Sequence, residues 1–375
     1  MRSIPRKPGC NPSRHQTDGM RTEFDPDRLP LTILELFRIK QGEMVSALMH
    51  LGTRLGLWGA LRDSEPCTST QLAEASGLQE RWVREWLHGM AATELVQHDD
   101  GRFALTPEAR VALTDRDHWS FMPGVFGPPM THYEIERTAE AFRTGVGMTW
   151  AEHGDHACHM QCSMSAARQE SFLVPTVLAS FDGATDRLRA GSARIVDVGC
   201  GAGVAARLLA SSFPQATVVG IDPSERAITA ARAESEAAGL DNVTFEQGTF
   251  DDLDRFGPVD LLVTLDVLHD LPRPQEAIAA AKRNLTADGW WLVADIKGRG
   301  DLESNRKIPV LPYMYAMSVF YCMSSALSEP GGEGLGTLGM YPARLEKMVT
   351  GAGFTRFTRH DVELDPTNWY YEIRL

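Results

Sequence analysis

The sequence has no apolar run near the roughly 20 residues that a membrane-crossing helix needs, so no membrane partner is expected. It also lacks a hydrophobic stretch behind its basic start, Arg2, Arg6, Lys7 and Arg14. Residues 1–30 are therefore expected to be a disordered tail and not a secretory signal. Cysteine is scarce, with six thiols scattered through the chain, which fits reduced cysteines and a cytoplasmic protein. Positive charge is short as well. Against 37 Lys and Arg stand 50 Asp and Glu, a formal net charge of −13, and a chain of that sign repels phosphate backbones. Nucleic acid is not an expected partner.

What the chain has is length and ordinary globular composition. With 375 residues and 43% hydrophobic residues it can hold one large and one small domain. From Leu31 to Leu61, Leu34, Phe37, Val45, Leu48, Met49, Leu55 and Trp58 recur at helical steps. This apolar face precedes any complete domain, so it is expected to pack on a second subunit or on the chain's own C-terminal domain. Residues 68–113 read as a winged helix: two short helices around Gly77, then strands Leu95–His98 and Arg102–Leu105 about the turn Asp99-Asp100-Gly101. Between Thr68 and Ala112 only Arg81, Arg84, Arg102 and Arg110 are basic, against seven acids. The second helix places Trp82 and Trp86 where a DNA-reading helix would carry exposed polar side chains. The block is expected to serve dimerisation, with residues 31–113 as one domain and 114–190 as a helical linker and pocket wall. His153, Asp155, His156, Cys158, His159 and Cys162 cluster in that linker, but their spacing does not hold one helical face, and no metal is expected.

From residue 191 the pattern turns regular. Strand-like runs at Ala193–Val198, Thr217–Ile221, Val243–Glu246, Val259–Leu265 and Trp290–Asp295 alternate with helical stretches. A helix at Pro342–Gly351 and two runs, Phe354–Val362 and Trp369–Arg374, close the chain. The fold class is α/β, a Rossmann-like seven-stranded sheet, parallel with an antiparallel last strand, behind a mainly α winged-helix domain. At the end of the first strand stands Asp197-Val198-Gly199-Cys200-Gly201-Ala202-Gly203. Its glycines are spaced G-x-G-x-G, not the G-x-G-x-x-G that seats a pyrophosphate, and an acid precedes them that can accept from an ammonium group. Asp222, followed by Pro223, ends the second strand about 20 residues on, where a carboxylate reaches ribose hydroxyls. Gly248-Thr249-Phe250 follows the third strand, where an adenine ring would lie. The fourth ends in Leu265 and, shortly after, His269-Asp270.

Together these features resemble the class I S-adenosylmethionine (SAM)-dependent methyltransferases, and the layout from Leu31 onward is similar to the small-molecule O-methyltransferases with a winged-helix dimerisation domain. Two narrower matches are Gly147-Met148-Thr149 with Glu152 and His153-Gly154, and Leu268-His269-Asp270. The resemblance implies that Asp197, Gly199, Cys200, Gly201 and Gly203 hold the methionine end of SAM. It places Asp222 and Pro223 at the ribose, Gly248, Thr249 and Phe250 at the adenine, and Leu265 along the cofactor. It implies His269 as general base, and Met148, Trp150 and Glu152 as pocket lining. Three departures stand out: Thr249 where the family often has Asp, Leu265 where a lysine precedes the histidine, and Leu271 where a tryptophan follows it. The aromatic and methionine-rich stretch with Tyr313, Met317 and Phe320 is expected to wall a small apolar or aromatic acceptor.

A histidine of ordinary pKa near 6.5 suits removal of a phenolic proton, which favours O-methylation, although a histidine here can equally do no more than shape the SAM pocket. A carboxylate base such as Glu170 would instead suit methylation of carbon on an apolar or prenyl-type acceptor. A SAM-sensing transcription regulator is the alternative outside enzymes. The overall expectation is a homodimeric enzyme of secondary metabolism.

Overall fold

A computed structural model describes residues 21, 23–127 and 130–375, apart from the side chains of 155–159. Most of the expected tail lies outside the described residues, but ordered backbone begins within it, with a 3-10 turn at Pro26–Arg28 and a helix starting at Leu29. The central members of the His153–Cys162 group, Asp155, His156, Cys158 and His159, also lie outside the described side chains. The chain divides into two compact units, residues 1–44 and 45–375. In the first, Leu31, Leu34, Phe37 and Ile39 are exposed.

The helical region expected at Leu31–Leu61 is two helices, Leu29–Arg54 and Leu57–Ser64. Gly56 separates them with φ 69°, a left-handed backbone that glycine adopts without steric cost. Next come helices Ser69–Ser76 and Glu80–Ala91. A capping box between Thr68 and Gln71 opens the first of them, and Gly77 closes it in a left-handed turn. Strands β1 (Val96–Asp99) and β2 (Arg102–Leu105) pair antiparallel as the wing, and Cys67 bridges to Phe103 on its other side. Leu61, Leu72, Trp86, Leu87, Met90 and Phe103 form the core of this block. Trp86 is buried as expected, whereas Trp82 is 80% exposed: its position on the helix turns it to solvent, and it adds nothing to that core.

The larger part holds a seven-stranded sheet of β3 (Arg194–Val198), β4 (Thr217–Asp222), β5 (Val243–Gln247), β6 (Val259–Leu265), β7 (Leu285–Ile296), β8 (Arg356–His360) and β9 (Asn368–Arg374). The spatial order is β5-β4-β3-β6-β7-β9-β8. The strands from β5 across to β7 pair parallel, and β9 enters antiparallel between β7 and β8. The strands are Val-, Ile- and Leu-rich because both faces are covered. Ile195, Leu261, Val263 and Leu292 face one helical layer with Leu209, Phe213 and Phe181. Val196, Val198, Leu262, Trp291 and Val293 face the other with Ile278, Leu345 and Phe354. Chain order reverses between β3 and β6, which opens a crevice at their carboxyl ends, where doubly wound sheets bind ligands.

Candidate functional site at the carboxyl edge of the sheet

The glycine loop follows β3 directly. Gly199, Gly201 and Gly203 have φ of 74°, 53° and 75°, so L side chains would be strained at each. Space adds a second constraint at two of them. A Cβ on Gly199 would stand 2.5 Å from Val267 Cγ2, and one on Gly203 2.5 Å from Phe245 Cε1. At Gly201 the nearest neighbour of such a Cβ is Cys162 Sγ at 3.5 Å, so the middle of the loop is its open side. The Gly199 and Cys200 N–H groups both donate to Ile221 O, at 2.8 and 3.1 Å, which ties the loop to the end of β4. The Cys200 thiol, partly buried, has its pKa held well above the usual value by burial and by the nearby Asp197 and Asp222.

Two carboxylates flank this cradle. Asp222 Oδ2 accepts from Gly201 N and Oδ1 from Ser224 N, both at 2.9 Å, which fixes the carboxyl plane. Burial raises its pKa, and the two backbone donors work against that rise. Asp197 is buried, with Oδ2 lacking a hydrogen-bond partner among the described residues. Burial and the neighbouring Asp222 raise its pKa to about 7, with a backbone bond from Ala206 opposing. An unpartnered buried carboxylate oxygen is costly and calls for a donor. The amino-acid ammonium of SAM is one. Glycine cradle, orphaned Asp197 oxygen and positioned Asp222 thus fit the cofactor from its methionine end to its ribose.

The corner where an adenine is expected follows β5. Pro223 is exposed, and its carbonyl accepts from Gln247 Nε2 at 2.9 Å. Thr249 spends its hydroxyl as a helix cap on Asp251 N, while its own N–H donates to Asp252 Oδ2 at 3.0 Å. Asp252 also crowds Gly248, where a Cβ would lie 2.9 Å from Oδ2. Phe250 is buried against Leu253 and the second sheet face. Thr249 and Phe250 therefore shape this corner through backbone and packing; their side chains are committed elsewhere.

At the ends of β6 and β7 lies an ion cluster. His269, 2% exposed, sits between two carboxylates: Nδ1 is 2.8 Å from Asp295 Oδ1 and Nε2 3.2 Å from Asp270 Oδ1. Burial alone would depress the imidazole, but Asp295 and Asp270 outweigh it and hold its pKa well above 6.5. Carboxylates at both ring nitrogens favour the charged imidazole, which sets His269 apart from the histidine of ordinary pKa expected as a general base. Asp270 Oδ2 accepts from Trp150 Nε1 at 2.7 Å, and Asp295 Oδ1 also accepts from Ile296 N. The ligating atoms of His269, Asp270 and Cys322 lie within 4.8 Å of one another, and the imidazolium–carboxylate pairing accounts for that convergence. Cys322 itself is pushed up to about 11, chiefly by burial.

Over this cluster stands an aromatic group. Trp150 stacks on Tyr321 at 5.9 Å and 14°, and His153 lies 5.0 Å from the same ring. Tyr321 and Cys322 belong to a π-helical turn, Ser318–Cys322, that continues the helix Leu311–Met317. Such a turn re-aims side chains by one residue and is frequent at functional sites. Met317 and Phe320 are partly buried on this segment, and Tyr313, 39% exposed, points its hydroxyl at Met164 Sδ 3.7 Å away.

Three other expected site residues fall differently. Met148 is 1% exposed, its N–H donating to Ser324 Oγ at 2.8 Å, and packs as core. Glu152 is an exposed cap that accepts from Thr149 N at 2.8 Å and pairs with Arg137; the Thr149 bonds hold its carboxyl below the usual range. Glu170 is exposed on the helix Gly154–Phe172, its pKa raised by partial burial and by Asp117, with Arg207 opposing. It has no contact with the cluster of His269, Asp270 and Asp295 among the described hydrogen bonds and ion pairs. Sequence reasoning missed Asp295, the partner that charges His269, and Asp266, one residue past β6. Their strand-end positions were the available signal.

A doubly wound sheet in the order β5-β4-β3-β6-β7-β9-β8, a glycine cradle and an acid ending β4 fit the methyltransferase domain that the sequence resembles. Comparison with known proteins agrees. Residues 190–325 match a family described as a methyltransferase domain, and 43–115 match an Rv2258c-like winged HTH domain. The trans-aconitate 2-methyltransferase of Deinococcus radiodurans is 37% identical over 114 residues, which are 30% of this chain and 42% of that one. Methyltransferase ungE' of Aspergillus campestris is 28% identical over 274 residues, 68% of this chain and 76% of its own. The chain thus aligns with well under two thirds of the first of these relatives. In fold it resembles human N-acetylserotonin methyltransferase in complex with SAM, with a TM-score of 0.64 and 18% identity over 95% of this chain and 99% of that one. Residues 190–325 thus match a methyltransferase domain, preceded in the chain by a match to a winged-helix domain at 43–115.

Proposed function

We propose that the protein transfers the methyl group of SAM to a small apolar or aromatic molecule, with O-methylation the preferred chemistry. The observation that carries this reading is the buried, unpartnered Oδ2 of Asp197 beside the glycine cradle. SAM supplies a methyl carbon already activated by a sulfonium. The residues of this chain bind, align and exclude water. Asp197 and the loop Gly199–Gly203 would hold the methionine end and Asp222 the ribose. The charged His269 cluster would fix Trp150, through Asp270, as one wall of the acceptor site, with Tyr321, Met317 and Phe320 beside it. An aromatic wall of this kind favours an apolar acceptor over a sugar.

The proposed assembly is a homodimer through the N-terminal helices, whose Leu31, Leu34, Phe37 and Ile39 are exposed. A regulator reading is disfavoured by the helix Glu80–Ala91. Its Arg81 pairs with Glu85 and its Arg84 with Glu80, so the basic side chains are neutralised on their own helix. Among the described residues no helix is long and apolar enough to cross a membrane. The functional test is a screen of small phenols and related aromatics with isotopically labelled SAM. Transfer to an aromatic hydroxyl, weakened at least tenfold in Trp150→Ala, supports the proposal. Binding of SAM without transfer to any hydroxyl compound would move the reading to carbon or nitrogen acceptors.

A further inference from the structure

Asp266 is used by nothing described so far. It follows β6 at the point where chain order reverses, and its neighbour Val267 is the side chain against which Gly199 packs. Its backbone is left-handed, φ 58°, a conformation uncommon for a non-glycine residue and often kept where geometry matters. Two contacts hold it there: Asp266 N donates to Ala294 O at 2.9 Å, and Asn368 Nδ2 donates to Oδ1. The carboxyl opens on a cavity of about 20 Å³ lined by Leu265, Arg168, Gln169, Asn368 and Tyr370. In that group the Gln169 Oε1 is buried with no hydrogen-bond partner among the described residues, so a polar group in this small space is left for a ligand or water to satisfy.

Resting on the methyltransferase reading above, we propose that Asp266 is the carboxylate at the point of methyl transfer, facing the sulfonium of SAM and the reacting atom of the acceptor. For a hydroxyl acceptor, the oxygen bonds to the methyl carbon as the carbon–sulfur bond breaks with its electron pair to sulfur. The hydroxyl proton passes to Asp266, so the sulfonium charge is discharged and the products are the methyl ether and S-adenosylhomocysteine. His269 has a carboxylate at each ring nitrogen, which favours its protonated form and disfavours it as the acceptor of that proton. Burial raises the Asp266 pKa to about 6, with Asp295 pushing the same way and His269, Arg168 and Asn368 opposing, so the carboxylate is ionised and basic at neutral pH. The groups facing it are Arg168 from the linker helix, Asn368 and Tyr370 from β9, Asp295 from β7 and His269 beyond its own turn.

The test needs no acceptor, because SAM carries the sulfonium charge and S-adenosylhomocysteine does not. Both ligands share the ammonium that Asp197 would hold, so titration of Asp197 cancels in the ratio of their affinities. Calorimetry of both ligands from pH 5 to 8 should show the preference for SAM rising about tenfold as Asp266 ionises, one unit of pKa coupling. In Asp266→Asn the ratio should be flat and the S-adenosylhomocysteine affinity unchanged. A ratio that does not change with pH in the wild type overturns the proposal by itself, whether or not the variant folds. An unchanged slope in Asp266→Asn overturns it as well. Failure of the wild type to bind either ligand removes the methyltransferase reading and this one with it.

Discussion

At the scale of single residues, Asp197 sets stability against function. An acid raised from 3.8 to about 7 binds more protons folded than unfolded between those values. Its contribution to stability is full below pH 3.8 and is lost as pH rises through about 7. Asp197→Asn should therefore shift the urea midpoint upward at pH 8, while SAM affinity falls at least tenfold. A lower midpoint at pH 8 would show that the carboxylate has a partner and is not kept for a ligand. For His269 the sign leads elsewhere. Its pKa is raised, so its contribution is full below about 6.5 and fades only as pH passes the higher folded value. His269→Gln strips the counter-charge from Asp270 and Asp295, a loss of about 3–5 kcal/mol by analogy with broken buried pairs, read by denaturant unfolding at pH 7. Little of this was legible beforehand. His269 was found by its place after the fourth strand, but whether a buried histidine is a base or a fixed cation depends on its neighbours. Asp295 is distant in sequence and reaches it only because β6 and β7 pair.

At the scale of elements, contact between the linker and the segment after β7 decides how the aromatic wall forms. Gly147 lies so close to Ser324 that a Cβ would stand 2.1 Å from its carbonyl oxygen, and Gly147 N donates to Leu327 O at 2.9 Å. Gly147→Ala should cost about 1–3 kcal/mol by overpacking and loosen Tyr321 from Trp150, read as a lower unfolding midpoint with cofactor affinity retained. The strands of the sheet were readable because buried parallel strands are short, β-branched and separated by helices. Strand β7 begins at Leu285, well before the expected Trp290, since Gly289 and polar residues there mask an extended backbone. The π turns at Leu173–Val177 and Ser318–Cys322 leave no mark on apolar periodicity. For the same reason the orientation of Tyr321 toward Trp150 was invisible, although the richness of that stretch in aromatics was plain.

At the scale of the whole molecule, acidity argues against a nucleic-acid partner, and the exposed apolar N-terminal face suits self-association. Phe37→Glu should convert a dimer to monomer in light scattering, if the exposed helix face is the proposed interface. An unchanged mass would place the contact elsewhere. The architecture was largely legible: a small winged helix, a linker, then a doubly wound sheet with an antiparallel last strand. Tertiary placement was not, as Trp82 and Glu170 illustrate, since a helical sequence pattern does not say which face a neighbour covers.

The central claim is that the cradle of Asp197, Gly199–Gly203 and Asp222 holds SAM. Calorimetric titration of SAM into the wild-type protein and into Asp222→Ala tests it most directly. The account predicts micromolar binding by the wild type and a loss of at least a hundredfold in the variant, about 2.7 kcal/mol. Equal binding by both proteins, or none by a folded wild type, would contradict it.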